Sequence, residues 1–165
     1  MTDKKIRTGK KIYKSLIRMM DANDWKYHKY DETLSVSHAL KLNNNHYKFV
    51  IGVWPKEQLV HILIAMPFEL PNEMPDERKH ELAYAICKIN SILEYGFFTY
   101  RIEENDISFR TTTCYCKSDI ATKVYGYMLA LSIRTADQFA EILSELANGE
   151  MTLDQIWGDN TSQAE

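Results

Sequence analysis

Two cysteines separated by one residue, Cys114 and Cys116, are the side chains whose spacing most suggests a metal or redox site. The alternating sequence before them predicts a strand, on which residues two apart point to the same face. Zinc sites usually place about two to four residues between paired cysteines and need two more ligands. The third cysteine, Cys87, falls in a predicted helix, and no histidine pair completes the set. We therefore interpret all three as free structural thiols and predict neither a metal nor a cofactor.

Three histidines could also meet at a metal, because His38, His46 and His61 fall on three successive predicted strands. However, His46 opens its strand at a turn, and His38 alternates in phase with leucines. We interpret them as independent residues. No serine or cysteine has the local sequence of an activated nucleophile, and the six glycines form no phosphate-binding loop. The chain is thus predicted not to be an enzyme. The alternative is a small-molecule- or metal-dependent enzyme that uses these histidines or Cys114 and Cys116.

Composition and charge narrow the function classes further. The 165 residues are 45% hydrophobic and 26% charged, as in an ordinary globular domain, and the net charge is −3. A negative chain lacks the concentrated positive field that nucleic-acid binding requires, so we predict no nucleic-acid partner. Basic residues do cluster between Lys4 and Lys14. We interpret them as the solvated face of a first helix, with an anionic partner as the alternative.

Features of membrane and secreted proteins are also missing from the sequence. No window approaches the roughly 20 apolar residues of a membrane span, and the charged first residues do not form a signal-peptide core. An odd number of cysteines without a secretory signal is typical of a reducing compartment. We therefore expect a cytoplasmic protein with no membrane partner.

Hydrophobic periodicity predicts an α+β domain with a five-stranded, mainly antiparallel sheet and the order α-β-β-β-α-β-β-α. Helices are expected near 6–20, 76–95 and 119–148, and strands near 34–42, 46–54, 58–66, 98–102 and 107–113. The connections between the first three strands are about three residues long, and only antiparallel neighbours can be joined so briefly. Residues 1–150 form the single predicted domain, and 151–165 a tail with a short helical turn followed by disorder. The sequence leaves open whether 132–135 breaks the last helix.

Several local features resemble the YbjN family of bacterial proteins, described as sensory transduction regulators. Trp25 and Tyr27 directly follow the first helix. The segment Ile89–Phe98 combines an asparagine near a helix end, a glycine after it and an aromatic that opens the next strand. The strand Ile107–Arg110 precedes a long helix closed by glycine. The element order supports the same resemblance over about residues 6–149.

The resemblance implies a type III secretion chaperone-like fold, a non-enzymatic binding or regulatory role, and dimerisation. It transfers no catalytic residues, because the family has no agreed ones.

The middle strands are apolar on both faces, which is unusual for antiparallel strands with one wet face. Either the three helices cover both faces, or they cover one face while a second copy or a partner segment covers part of the other. Under the second interpretation, partner contacts fall on Val50, Trp54, Leu59 and Leu63. We therefore predict a protein- or peptide-binding module with a chaperone-like or regulatory role, homodimeric at micromolar concentration. A regulatory subunit of a larger complex is a further hypothesis.

The core prediction follows from the same periodicity. One edge of the second helix and one face of the central strands are expected to meet, through Leu82, Ile86, Ile89, Leu93, Phe49, Ile51, Ile62 and Ile64.

Overall fold

The computed structural model of the protein describes residues 3–116 and 122–157. Its strands are β1 (His28–Tyr30), β2 (Ser35–Leu42), β3 (Asn45–Trp54), β4 (Leu59–Ala65), β5 (Phe97–Arg101) and β6 (Asp106–Cys114). Its helices are α1 (Asp3–Ala22), α2 (Asp76–Ile92), α3 (Thr122–Asn148) and the short α4 (Leu153–Trp157).

The strands form one sheet in the order β1-β2-β3-β4-β6-β5, and every neighbouring pair is antiparallel. Each connection in the β2-β3-β4 meander turns through a residue with positive φ, Asn43 in the first and Gln58 in the second. Asparagine tolerates that conformation well, which suits Asn43 and Asn44 to the turn between β2 and β3.

One feature of the sheet corrects the sequence prediction. The sheet has six strands instead of five, because the segment after α1 pairs with β2 through His28, Lys29 and Tyr30. All three residues of this strand are exposed, so its sequence lacks the alternation of apolar and polar residues that predicts a strand. The order of elements becomes α-β-β-β-β-α-β-β-α-α.

The last long helix is continuous from Thr122 to Asn148, which answers the question about 132–135. Ser132 and Thr135 do not break it, because their hydroxyls donate hydrogen bonds to the carbonyls of Met128 and Leu131 one turn earlier. The predicted first turn at 119–121 and the predicted disorder after 158 lie outside the described residues. The helical turn predicted near 152–157 is α4.

The three long helices pack on the same face of the sheet. Thr111 of β6 shares a buried hydrogen bond with Ser132 of α3, and Phe98 of β5 packs edge-on against Phe139 of the same helix. Helix α1 lies over β3, and α2 lies beside α3 and over β5. The core therefore lies between a single helical layer and one sheet face.

The core prediction is confirmed for seven of its eight residues. The strand residues Phe49, Ile51, Ile62 and Ile64 and the α2 residues Leu82, Ile86 and Ile89 are all buried. Leu93 lies just beyond the end of α2 and is only partly buried, although it still packs against the core.

A carboxylate ties the helical layer to the β2-β3 turn. Asp137 of α3 accepts hydrogen bonds from the Tyr47 hydroxyl at 2.7 Å and from the side-chain amides of Asn43 at 2.9 Å and Asn45 at 3.2 Å. These donors favour the charged carboxylate and hold the pKa of Asp137 below its usual value, with the Tyr47 hydroxyl as the largest cause.

Candidate protein-binding face

The opposite face of the sheet carries no helix among the described residues, and we call it the open face. Its side chains are those that alternate with the core residues along each strand. In the central strands these are Lys48, Val50, Gly52, Trp54, Leu59, His61, Leu63, Ala65, Ser108, Arg110, Thr112 and Cys114.

An apolar row crosses the middle of the open face. Val50 of β3 lies opposite Leu63 of β4, which lies opposite Arg110 of β6, which in turn lies opposite Phe97 of the edge strand β5. Val50 and Leu63 are half-buried by their neighbours in the sheet alone, and 43% of Phe97 is exposed. The row therefore combines two aliphatic side chains and an aromatic one with a single guanidinium between them.

A second group of side chains lies near the β3-β4 turn. Trp54 lies opposite Leu59, and its indole packs against the imidazole of His61 with ring centroids 4.2 Å apart. The imidazole covers Gly52, the residue opposite it, so closely that a Cβ atom at Gly52 would collide with the ring. Glycine at this position thus leaves room for the imidazole of the aromatic pair.

The surroundings of His61 disfavour the charged form of its ring. Burial of the ring lowers the pKa of His61, and the nearby positive charge of Arg110 lowers it further. Two polar atoms here, His61 Nδ1 and Arg110 Nε, are shielded from solvent and make no hydrogen bond to the described residues. Buried polar atoms are usually hydrogen-bonded, so this part of the face is unusual for a surface with no bound partner.

The edge strand β5 is closed to further pairing at its centre. The Asn90 side chain of α2 donates a hydrogen bond to the Phe98 carbonyl at 2.9 Å and accepts one from the Phe98 amide at 2.7 Å. An edge strand with free amides and carbonyls can pair with a strand of another chain. Here the Asn90 side chain already binds the amide and carbonyl of Phe98. The open face is therefore better placed than this edge to receive a partner.

All four residues predicted from the sequence as partner contacts lie on the open face. Val50 and Leu63 are at its centre, and Trp54 and Leu59 are beside the β3-β4 turn. Trp54 is 43% exposed, and the other three are half-buried. Their role in binding stays a prediction.

The structure adds Arg110, His61 and Phe97 to this surface, which the sequence analysis did not identify as contacts. Alternation around Phe109 places Arg110 opposite the core, but only the strand order puts β6 beside β4. The order depends on long-range pairing, and the sequence carried no local signal for it.

The cysteines do not form the pair that the sequence suggested. Cys114 ends β6, whereas Cys116 lies beyond the strand, where its sulfur accepts a hydrogen bond from the Gln58 amide. The prediction that both thiols point to one face of a strand is therefore wrong for Cys116. Cys87, Cys114 and Cys116 are free and exposed.

The three histidines are also kept apart. His38 is on the helix-covered side, where it stacks on Trp25 and hydrogen-bonds the Lys26 carbonyl. His61 is on the open face, opposite Gly52, and His46 lies six residues away from Gly52 at the other end of β3. Within residues 3–116 and 122–157, no three histidine, cysteine or carboxylate side chains are grouped closely enough to hold a metal ion.

The fold is similar to those of chains in two solved complexes. A chain in the crystal structure of the ExsC-ExsE complex aligns with a TM-score of 0.57 and 9% sequence identity, over 82% of this chain and 95% of that one. A chain in the structure of the HopA1-SchA chaperone-effector complex aligns with a TM-score of 0.55 and 8% identity, over 79% and 94%. At such low identity the similarity concerns the fold alone. It supports the chaperone-like fold that the sequence resemblance implied.

No protein-family model matches the sequence, and no curated protein shows significant sequence similarity to it. Membership of the YbjN family therefore stays a prediction. No helix in the described parts of the chain has the length and apolar character needed to cross a membrane.

Proposed function

We propose that this chain is a non-enzymatic protein-binding module that captures a protein or peptide segment on its open face, in a chaperone-like or regulatory role. The observation that carries the proposal is the placement of Val50, Trp54, Leu59 and Leu63 on the one sheet face that no described helix covers. Burying apolar surface of this kind is worth about 25 cal/mol per Å² before the costs of association are subtracted.

The fold comparison supports the same function. Both similar structures are complexes, and the second is described as a chaperone bound to an effector. A chaperone of this kind binds its partner through a complementary surface, and binding needs no catalytic residues. Among the described residues, no histidine, cysteine and carboxylate side chains are grouped closely enough to hold a metal ion, so no observation there favours the metal-dependent form of the alternative enzyme. We also propose a location in the bacterial cytoplasm, supported by the resemblance to a family of bacterial proteins and by three cysteines that are all free.

A homodimer is the second candidate occupant of the open face, because the apolar row could pair with its own copy. Stable pairs typically bury about 1,200 Å² or more in total. Light scattering coupled to size exclusion separates a dimer from a monomer of 19.3 kDa. A dimer that Leu63→Gln dissociates would use the open face.

The direct experiment is comparative capture from a lysate of the native host. The full chain and its Leu63→Gln and Trp54→Ala variants are immobilised beside Tyr84→Ala, which removes an exposed aromatic from α2 in the helical layer. We expect a protein that the wild type and Tyr84→Ala retain and that both open-face variants lose. Equal retention by all four proteins would contradict the proposal.

A further inference from the structure

The open face is basic, although the chain as a whole carries a net charge of −3. Strand residues that point to this side include Lys41, Lys48, Arg101 and Arg110. Arg101 is neutralised by its ion pairs with Asp106, the acidic strand residue on this side, at 2.8 Å and with Glu104, so Lys41, Lys48 and Arg110 carry the positive charge of this face. Other acidic residues, such as Glu57 and Glu104, lie in the turns at the ends of the strands. The positive charges and the exposed apolar row therefore share one surface.

Arg110 lies at the centre of this surface. It is opposite Leu63, in the same row as Val50 and Phe97, and it is half-buried. Its Nε atom is shielded from solvent and has no hydrogen-bond partner among the described residues. In the same part of the chain, no carboxylate forms an ion pair with Arg110 or with Lys48. The terminal Nη groups of a half-buried guanidinium without an ion pair are suited to bind a carboxylate through two parallel hydrogen bonds.

From this arrangement we infer the chemistry of the partner, and the inference rests on the function proposed above. The open face binds a segment of another protein that combines acidic and apolar side chains. Its apolar residues contact Val50, Leu63 and Trp54, and its carboxylates pair with Arg110 and Lys48. Opposite charges attract the partner to the open face and increase the association rate. Salt screens this attraction, so we expect the affinity to fall as the salt concentration is raised.

A second copy of this chain fits the surface less well. In a two-fold pair the same patch meets itself, so that Arg110 and Lys48 of one copy approach the like charges of the other. Like charges brought together at an interface oppose association. An acidic partner removes that repulsion and supplies the missing acceptors.

The basic face of α1 is the rival anionic site, and it differs in one respect. Its lysines and arginine, among them Lys10 and Lys14, are exposed to solvent, while the apolar stripe of the same helix is buried against the sheet. It therefore offers charge without an exposed apolar surface. The open face, in contrast, combines positive charge with an exposed apolar row in one place.

The test is a display selection of random 12-residue peptides against the immobilised full chain. We expect the selected peptides to be enriched in aspartate and glutamate over lysine and arginine, together with leucine, valine or aromatic residues. Synthetic copies of the best peptide then report the binding constant by fluorescence anisotropy. Arg110→Gln is expected to weaken binding about tenfold, the loss of one charge-assisted pair, and Lys48→Gln to weaken it further.

The control is the Lys10→Gln, Lys14→Gln double variant, which lowers the net charge at α1 and should change the binding constant less than about twofold. Circular dichroism and thermal melting establish that each variant is folded. A selected pool without acidic enrichment, or acidic peptides that bind Arg110→Gln as tightly as the wild type, overturns the inference. A dimer that forms through the open face and excludes the peptides also overturns it.

The same experiment separates this inference from the proposed function. If the selected peptides are neutral or basic and Leu63→Gln abolishes their binding, the inference of an acidic partner is contradicted. The proposal that the open face binds a protein is then still supported. Peptides whose binding neither Leu63→Gln nor Arg110→Gln changes would contradict both.

Discussion

The indole of Trp54 lies against the imidazole of His61 at a centroid distance of 4.2 Å, inclined by 48°, on the sheet face opposite the helices. The pair is possible because Gly52 leaves room for the imidazole. It joins an exposed aromatic to a partly buried titratable group beside Arg110. The first two predictions concern this pair.

We expect His61 to titrate below its ordinary pKa of 6.5, because burial and Arg110 both disfavour the charged ring. The folded protein then binds the proton less readily than the unfolded chain. The contribution of His61 to stability is full above about pH 6.5 and is lost as the pH falls toward the folded pKa. NMR titration of the imidazole protons measures the pKa directly. A value at or above 6.5 would contradict the burial of the ring, and in His61→Gln this part of the pH dependence should vanish.

A methyl group at Gly52 should disturb the Trp54–His61 pair. Gly52→Ala forces the imidazole away from the sheet, so we expect altered Trp54 fluorescence and a loss of stability. Gly126→Ala is the matched control. Gly126 lies within α3, where the one described atom that an added Cβ would contact outside the helix backbone is the Met19 sulfur, at 3.7 Å. That substitution should stabilise the protein by roughly 0.5–1 kcal/mol, the usual gain for alanine over glycine in a helix. Gly52→Ala melting at or above the wild-type temperature would refute the close packing.

Neighbouring residues on β4 should differ sharply in their cost of truncation. Ile62 is fully buried under the helices, and Ile62→Ala should reduce the free energy of unfolding by roughly 2–5 kcal/mol. Ile86→Ala in α2 is expected to fall in the same range. Leu63 points to the open face and is half-buried, so Leu63→Ala should cost clearly less. Chemical denaturation measures all three. Equal costs for Ile62→Ala and Leu63→Ala would mean that something within the chain covers both faces.

The Asp137 network should stabilise the junction between α3 and the β2-β3 turn. Asp137→Ala removes the acceptor of the Tyr47 hydroxyl and of the Asn43 amide, and one of two acceptors of the Asn45 amide, at a cost of roughly 1–3 kcal/mol. Because folding lowers the pKa of this carboxyl, its stabilisation is present above the ordinary value of 3.8 and is lost as the pH falls through the folded pKa. A double-mutant cycle with Tyr47→Phe isolates the central hydrogen bond, and additive effects would contradict it. Glu141→Gln, at an exposed site one turn further along α3, is the control.

Much of this fold could be predicted from the sequence, because local patterns determine it. Alternation in β3 and β4 identified both faces of the sheet, and short connections fixed the antiparallel meander. The strand β1 was missed since its three residues owe their conformation to pairing with β2 and not to any pattern of their own.

The sequence predicted only some residues of the candidate site. Val50, Trp54, Leu59 and Leu63 could be identified as a set because apolar residues on both faces of a strand are conspicuous. Arg110 could not be included, because its place beside Leu63 depends on a β4-β6 pairing between distant parts of the chain. The sequence also left open which face the helices cover, since amphipathic helices fit either side of a doubly apolar sheet.

The central claim, that the open face receives a protein partner, is tested most directly by methyl NMR of the full chain with and without the captured partner. The methyl signals of Val50, Leu59 and Leu63 on the open face are compared with those of Ile92, which is 70% exposed at the end of α2. We predict that the open-face methyls shift or broaden on binding and that Ile92 does not change. Perturbation of Ile92 and the helical layer, with Val50, Leu59 and Leu63 unchanged, would contradict the account.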